Sequence, residues 1–504
     1  MTQKPKGRKW GPWIVAGLVL MALPVHLRPA HFPADDSYFY LQVAHHVAQG
    51  NGSTFNTITP TNGYHPLWMF FCVAASWLAG GSKLLALRLV IAFQAVLFGG
   101  IAWIFRDVAR DLGLRHWLVG LSLLAGFFLT GLYGSEAHIN GFAVSLALWT
   151  LMRAERGEAP WGWFGLALGI AVLARLDNVF VCAGLASFAC ASTGSARLAI
   201  RRAVPILAFG SLVVIPYLWS NLAFHGHLVP ISGAIKSHFP EPVWHPGQLG
   251  TLGRVVTFAA LLALPLARGR RRSVLGGLGV GVLLHSAYLV LFTRDATTWS
   301  WYHVSGVVLL GLTASAVFEI LGARIRSGFA PRLAAAVATL VLVLGVSRAW
   351  YRFYNPDAVG PRNALALHEK KHDERWGLTW ARWLDENLPA GEGVLVYDMP
   401  GVLGFYSDLR IFPVDGLIGS YASNDALVRE GVHEFLRASG VRYYLGPIRR
   451  RGHDVSSVEI IAPLDRVVVG SLDLPRGAVV SRTSDVTTHP DAHDLALWRI
   501  GDEG

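Results

Sequence analysis

Charge is what this chain has least of. Asp, Glu, Lys and Arg together supply 15% of its 504 residues, against 53% that are hydrophobic; soluble domains carry about 25% charged residues. That excludes an ordinary soluble globular protein. Cysteine is nearly absent as well: Cys72, Cys182 and Cys190 each lie inside an apolar segment. An odd number without paired spacing excludes a disulfide framework and a cysteine-based zinc site, and leaves packing as their role. No internal repeat is visible along the chain, which speaks against an architecture of two related halves.

What is present is apolar length. Runs near the roughly 17–25 residues that span a bilayer fall at 11–27, 85–105, 116–133, 141–152, 161–174, 178–191, 203–220, 250–267, 274–293, 303–320 and 330–348. The fold class read from them is a polytopic α-helical membrane protein of about eleven transmembrane helices. The first run follows a basic segment, MTQKPKGRKW, as in a signal peptide. Pro24, His26, Arg28 and Pro29 make a poor cleavage site, so it is read as a retained helix with a cytoplasmic N-terminus.

The net charge of +11 is not read as a nucleic-acid footprint. Its basic residues sit in short loops on alternate connections: RDVARDLGLRH, RAERGE, SARLAIRR, ARGRRRS and ARIRSG. That distribution is the positive-inside pattern of cytoplasmic loops. The opposite connections hold Asp35, Asp36, Glu136, Asp177, Lys236 and Asp295. One apolar run, HPLWMFFCVAASWLAG at 65–80, breaks this alternation if it crosses, so it is expected to lie along or dip into the outer interface.

From about 349 the composition turns polar and mixed. The stretch LTWARWLDENLPAGEGVLVYDMPGVLGFYSDLRIFPVDG reads helix, turn, strand, helix, strand; NDALVREGVHEFLRASG has helical periodicity, and VRYYLG reads as a strand. The expected organisation is a transmembrane domain, 1–348, with a long first external loop at 28–84, then an extracytoplasmic α/β domain at 349–504.

Two adjacent acids, Asp35 and Asp36, stand just beyond the first span. An N-cap for the amphipathic helix SYFYLQVAHHVA, with Tyr38, Leu41 and Val47 on its apolar side, accounts for one of them. It does not account for both. Further along, NTITPTNGYHPLW (56–68) carries Asn62 and His65 beside a Gly-containing turn and a His-Pro step. YGSEAHING (133–141) puts Glu136 on the same side, either as a cap for the helix that follows or as a second acid; LARLDN (173–178) holds Arg175 and Asp177, readable as a structural pair at a helix end. NLAFHGHLVPISGAIK (221–236) ends in Lys236, which as an isolated residue reads as an interface-snorkelling lysine. In TTWSWYHV (297–304), Tyr302 and His303 stand at an outer boundary where an aromatic belt is expected. His285, in mid-span, reads as a packed, hydrogen-bonded histidine.

In their order and common sidedness these segments, with FPVDGLIGS (412–420), resemble the GT-C superfamily of membrane glycosyltransferases, in its arabinofuranosyltransferase- and mannosyltransferase-like branch. The sequence departs from that branch at Phe224-His225-Gly226, at Pro230-Ile231-Ser232 and at Leu176-Asp177-Asn178, so the resemblance leaves the sugar open. It implies transfer of a sugar, with inversion, from a polyprenyl-phosphate donor to a glycan, lipid or protein acceptor on the outer face of the cell membrane. Such transfer needs a base for the acceptor hydroxyl, and a carboxylate with a pKa near 4 serves if held within hydrogen-bond reach. Asp35 is expected as that base, with Asp36 orienting the acceptor and Glu136 assisting. The leaving phosphate needs a cation, expected from Lys236 or an arginine such as Arg175, with His65, Asn62, Tyr302 and His303 as further substrate contacts. A divalent ion, Mg²⁺ or Mn²⁺, held by Asp36 and Glu136 is an alternative source of positive charge.

Two other classes fit a many-spanning chain. A transporter or flippase of lipid-linked sugars would carry its ionisable groups near the bilayer midplane, whereas here they cluster in the outer loops. A non-catalytic scaffold would bind a polyprenyl-phosphate sugar without turnover.

Overall fold

The structure is a computed structural model that describes residues 20, 22–129, 131–294, 298–324, 329–354, 376–397, 400–430, 432–447, 457–462, 467–473, 479–482 and 495–499. Most of the first expected span, 11–27, lies outside the described residues. Five helices among them are long and apolar enough to cross a membrane: Lys83–Asp111, Ala196–His225, Pro246–Leu266, Gly269–Phe292 and Ser300–Gly322. The protein is therefore a membrane protein.

Among the described residues the expected runs fold as helices over nearly their whole length, except that 116–133 gives only Trp117–Phe128; this helix, Trp161–Ala174 and Leu176–Ala191 are apolar but short. The first of these stops at Phe128, short of the expected 133, and Gly134 further on has a φ of +80°, a conformation that suits glycine. The run at 65–80 forms a helix of 13 residues, Pro66–Leu78. At about 1.5 Å per residue this is roughly 20 Å long, short of the ~30 Å hydrocarbon layer.

Four elements position the site. Helix α1 (Asp35–Ala48) begins with both acids in its first turn, where the helix dipole favours negative charge. It was expected to be amphipathic, yet Ser37 through His46 are all buried. The cause is packing on two sides: α2 (Pro66–Leu78), which starts on proline at its first position, and a short helix of the C-terminal region, Pro400–Tyr406. Helix α3 (Lys83–Asp111) begins at Ser82, whose hydroxyl accepts from the Leu85 N–H at 3.3 Å. Beyond the short α4 (Trp117–Phe128), helix α5 (Ala137–Glu155) leads into α6 (Trp161–Ala174), and the break between α6 and α7 (Val179–Ala191) presents Arg175 and Asp177. The long α8 (Ala196–His225) ends at Gly226 in a left-handed conformation, and its loop runs into α9 (Ile231–Lys236). Helices α10 (Gly250–Leu266), α11 (Gly277–Phe292), α12 (Val304–Arg324) and α13 (Phe329–Tyr354) complete the helical part. Helix α13 runs to Tyr354, so the compositional boundary expected at 349 falls inside a helix.

The expected helix–strand–helix–strand order appears as α14 (Trp376–Asn387), β1 (Gly393–Val396), α15 (Pro400–Tyr406) and β2 (Arg410–Pro413). After α16 (Tyr421–Asp425) and α17 (Val432–Ser439) come β3 (Tyr443–Pro447), β4 (Ser457–Ala462), β5 (Val467–Asp473), β6 (Val479–Arg482) and β7 (Leu495–Arg499). Five of these strands form one sheet in the order β2-β1-β3-β7-β6, with β1 parallel to both neighbours. Its GVLV run is buried throughout, as a central parallel strand covered on both faces requires.

The carboxyl ends of β1 and β2 face the first loop of the helical part. A Cβ added at Gly401, just beyond β1, would collide with the Asp35 carbonyl oxygen, and one added at Gly63 would collide with that of Leu417, just beyond β2. Two backbone approaches this close tolerate only glycine.

Candidate active site

Where these elements meet there is a cavity of about 580 Å³. Asp36 and Tyr40 reach it from α1, His65 from the start of α2, Glu136 from the start of α5, and Arg175 and Asp177 from the α6–α7 break. Lys236 closes it from α9, with Tyr288, Trp301, Tyr302 and Leu417 around the wall. Of the residues expected from sequence, Asp36, His65, Glu136, Arg175, Lys236 and Tyr302 are thus brought together.

Glu136 precedes α5 without capping it. Its carboxylate accepts from Arg175 Nη1 at 2.5 Å and from the Tyr40 hydroxyl at 3.4 Å, and His65 Nε2 lies 3.9 Å away. Arg175 Nε is 2.9 Å from Asp177 Oδ1, and its guanidinium lies over the Tyr302 ring at 3.9 Å. His285 Nε2 is 3.1 Å from Asp177 Oδ2, which bears out the hydrogen-bonded histidine. Arg175 and Glu136 are only 3% and 4% exposed, so this network holds its charges out of water by mutual pairing. Burial opposes the Arg175 charge, but Asp177 and Glu136 more than offset it and keep the guanidinium protonated. Burial likewise works against an ionised Asp177, and the attraction of Arg175 and His285 overrides it, holding the carboxyl far below the usual range. Burial, aided by Arg175 and Lys236, lowers His65 to about 4, so its imidazole is neutral at pH 7. Burial also opposes the charge on Lys236, yet Tyr302, Asp36 and Asp415 raise its pKa above the ordinary lysine value.

Three expected residues do not face the cavity. Asp35, expected as the base, accepts from the N–H groups of Gly401 at 3.1 Å and Val402 at 2.8 Å. It does cap a helix, but that helix is α15, whereas the N-cap position of α1 itself is Ala34, which has no capping side chain. Successive residues on a helix point about 100° apart, so two adjacent acids cannot face the same partner: Asp35 turns to α15 and Asp36 to the cavity. Asp35→Ala is expected to lower stability by about 1–2 kcal/mol, as for a lost cap. Activity should survive within a few fold, as read by thermal unfolding in detergent alongside a transfer assay.

Asn62 is a positioner: its Oδ1 accepts from the Ile231 N–H at 3.1 Å and its amide donates to Asn221 at 3.4 Å, fixing the loop that leads to Lys236. His303 is buried against Gly253. Tyr40 was missed from sequence, although it lies four residues after Asp36 and therefore on the same helix face.

The expected metal pair does not fit. Glu136 is engaged by Arg175 and Tyr40, and among the described residues no group of three or more His, Cys, Asp or Glu is placed to hold a metal ion.

No family model matches the sequence, and no curated protein matches it significantly. Among solved structures, ArnT from Cupriavidus metallidurans bound to undecaprenyl phosphate superimposes with a TM-score of 0.54, covering 87% of this chain and 93% of that one at 14% identity. Arabinofuranosyltransferase AftD from Mycobacteria aligns at a TM-score of 0.41 and 14% identity, covering 97% of this chain. This chain spans only 40% of the AftD length. The likeness to ArnT is one of fold.

Proposed function

We propose that this protein is an inverting glycosyltransferase that moves a sugar from a polyprenyl-phosphate donor to an acceptor hydroxyl at the outer face of the membrane. The observation that carries this reading is the meeting of Asp36 with two cations, Lys236 and Arg175, the latter paired with Glu136 and Asp177, in a cavity walled by Tyr40, Tyr288, Trp301 and Tyr302. Its likeness in fold to a protein with undecaprenyl phosphate bound supports the lipid donor.

Asp36 takes the proton of the acceptor hydroxyl as that oxygen attacks the anomeric carbon. The bond from that carbon to the phosphate oxygen breaks on the opposite side. The phosphate departs as a monoester with one more negative charge than the diester it came from. No acid is needed for such a leaving group; a preorganised cation is. Lys236 supplies it, with Arg175, which lines the same cavity while its Nη1 and Nε contact Glu136 and Asp177. Glu136 and Asp177 hold the arginine in place. Aromatic faces suit stacking on the sugar ring, and the polyprenyl tail lies among the apolar helices. By the loop charges, the N-terminus is cytoplasmic, and the C-terminal α/β region extracytoplasmic.

The test is incubation of the purified protein in lipid with a panel of polyprenyl-phosphate sugars and with glycan, lipid and protein acceptors, read by mass spectrometry. A glycosylated acceptor is expected, with EDTA changing its rate by less than about twofold because Glu136 and Asp177 are committed to Arg175. Donor bound without any product across the panel would overturn the proposal.

A further inference from the structure

Lys236, read above as the cation for the donor phosphate, stands on a helix too short to hold its own place. Helix α9 has six residues, and isolated helices shorter than about 12–15 residues are marginal in water. The loop that leads into it from Gly226 leaves Leu228 and Val229 half exposed, so burial does little to fix it. Ties from other elements set its position. At the far end the Lys236 carbonyl accepts from the Arg294 N–H at 3.0 Å. At the near end Asn62 Oδ1 accepts from the Ile231 N–H, and the Asn221 amide donates to the Leu228 carbonyl at 3.2 Å. A further tie comes from the C-terminal region, 192 residues along the chain: the Tyr421 hydroxyl donates to the Val229 carbonyl at 2.6 Å. The Tyr421 ring also stacks on His227, with centroids 3.6 Å apart and planes within 16°.

Tyr421 is itself firmly mounted. It opens α16, where the Ser420 hydroxyl accepts from the Ser423 N–H at 3.0 Å and the Ser423 hydroxyl accepts from the Ser420 N–H at 2.9 Å, a closed capping box. The turn just before it runs along the same arm. Leu417 lines the cavity with Lys236, and a Cβ added at Gly416 would lie 3.1 Å from Cδ1 of Ile235, the neighbour of Lys236. We infer that Tyr421 is a positioning residue, through which the C-terminal α/β region holds the 227–236 arm and so sets Lys236 in place for the donor phosphate. The inference rests on the reading of Lys236 as the partner of that phosphate. A cation already in place gives its full attraction to the incoming group, whereas an arm that must be ordered on binding takes that ordering cost out of the affinity.

The test uses the full chain in detergent with Tyr421→Phe, which keeps the ring and loses the hydrogen bond, and Tyr421→Ala, which loses both. Tyr421 is only half-buried, so both variants are expected to fold, and the phenylalanine variant decides the matter should the alanine one misfold. Hydrogen–deuterium exchange of the peptide covering 227–236, without substrate, is expected to quicken in Tyr421→Phe and further in Tyr421→Ala, with exchange in α5 and α11 unchanged. Binding of undecaprenyl phosphate, the probe used, is expected to weaken about fivefold in Tyr421→Phe, the worth of one hydrogen bond, and about tenfold or more in Tyr421→Ala. Wild-type affinity in the folded variants overturns the inference. Weakened binding with exchange unchanged overturns it as well, because Tyr421 would then not act through the arm. Faster exchange in a protein whose wild type binds no undecaprenyl phosphate supports the hold of Tyr421 on the arm and counts against the proposed donor.

Discussion

Asp36→Asn is expected to cut sugar transfer by about 10³-fold, within the range that a positioned general base contributes. The amide keeps the shape of the side chain and removes its ability to take a proton. Folding should be untouched, because the helix-capping acid is the neighbouring Asp35. Undecaprenyl phosphate should bind at least as well as in wild type, since a negative charge beside Lys236 has gone. Initial rates by mass spectrometry, with binding measured on the same preparation, check both halves. A rate within tenfold of wild type would remove Asp36 from the role of base.

Arg175→Met is expected to have the largest effect on stability. The substitution keeps much of the volume but leaves Glu136 and Asp177 buried without their cation. Breaking a buried pair in this way costs about 3–5 kcal/mol. The loss has a pH signature whose sign can be worked out. In wild type the Asp177 pKa is depressed in the folded state, so its contribution is present above the unfolded value near 4 and is lost as pH falls through the lower, folded value. Without Arg175, the burial that already works against an ionised Asp177 loses its main opponent, so the folded variant binds protons more readily than the unfolded chain and gains stability as pH falls. Thermal unfolding in detergent at pH 7 and pH 5 should therefore show the variant recovering at pH 5. Glu136→Gln added to Arg175→Met should recover part of the loss at pH 7. A variant equally unstable at both pH values would mean that the network does not hold its charges by pairing.

The membrane class was legible because scarce charge and long apolar runs follow directly from the bilayer as solvent. The site was legible in part for the same reason: Asp36, Glu136, Arg175 and Lys236 are ionisable residues on the connections that lack basic clusters. The split between Asp35 and Asp36 was not legible, since it depends on helix phase and on α15, more than three hundred residues away in the chain. The shortness of the helix at Trp117–Phe128 was hidden too, because hydropathy does not distinguish an apolar helix from an apolar turn. Glu136 read equally well as a cap, and only the fold shows its carboxylate turned to Arg175.

The measurement that bears most directly on the central claim is the configuration of the product. The wild-type protein would be given a polyprenyl-phosphate sugar of defined anomeric configuration and an acceptor identified from the panel, and the new linkage read by NMR. A single displacement with Asp36 as base predicts complete inversion at the anomeric carbon. A product with the configuration of the donor retained would contradict it.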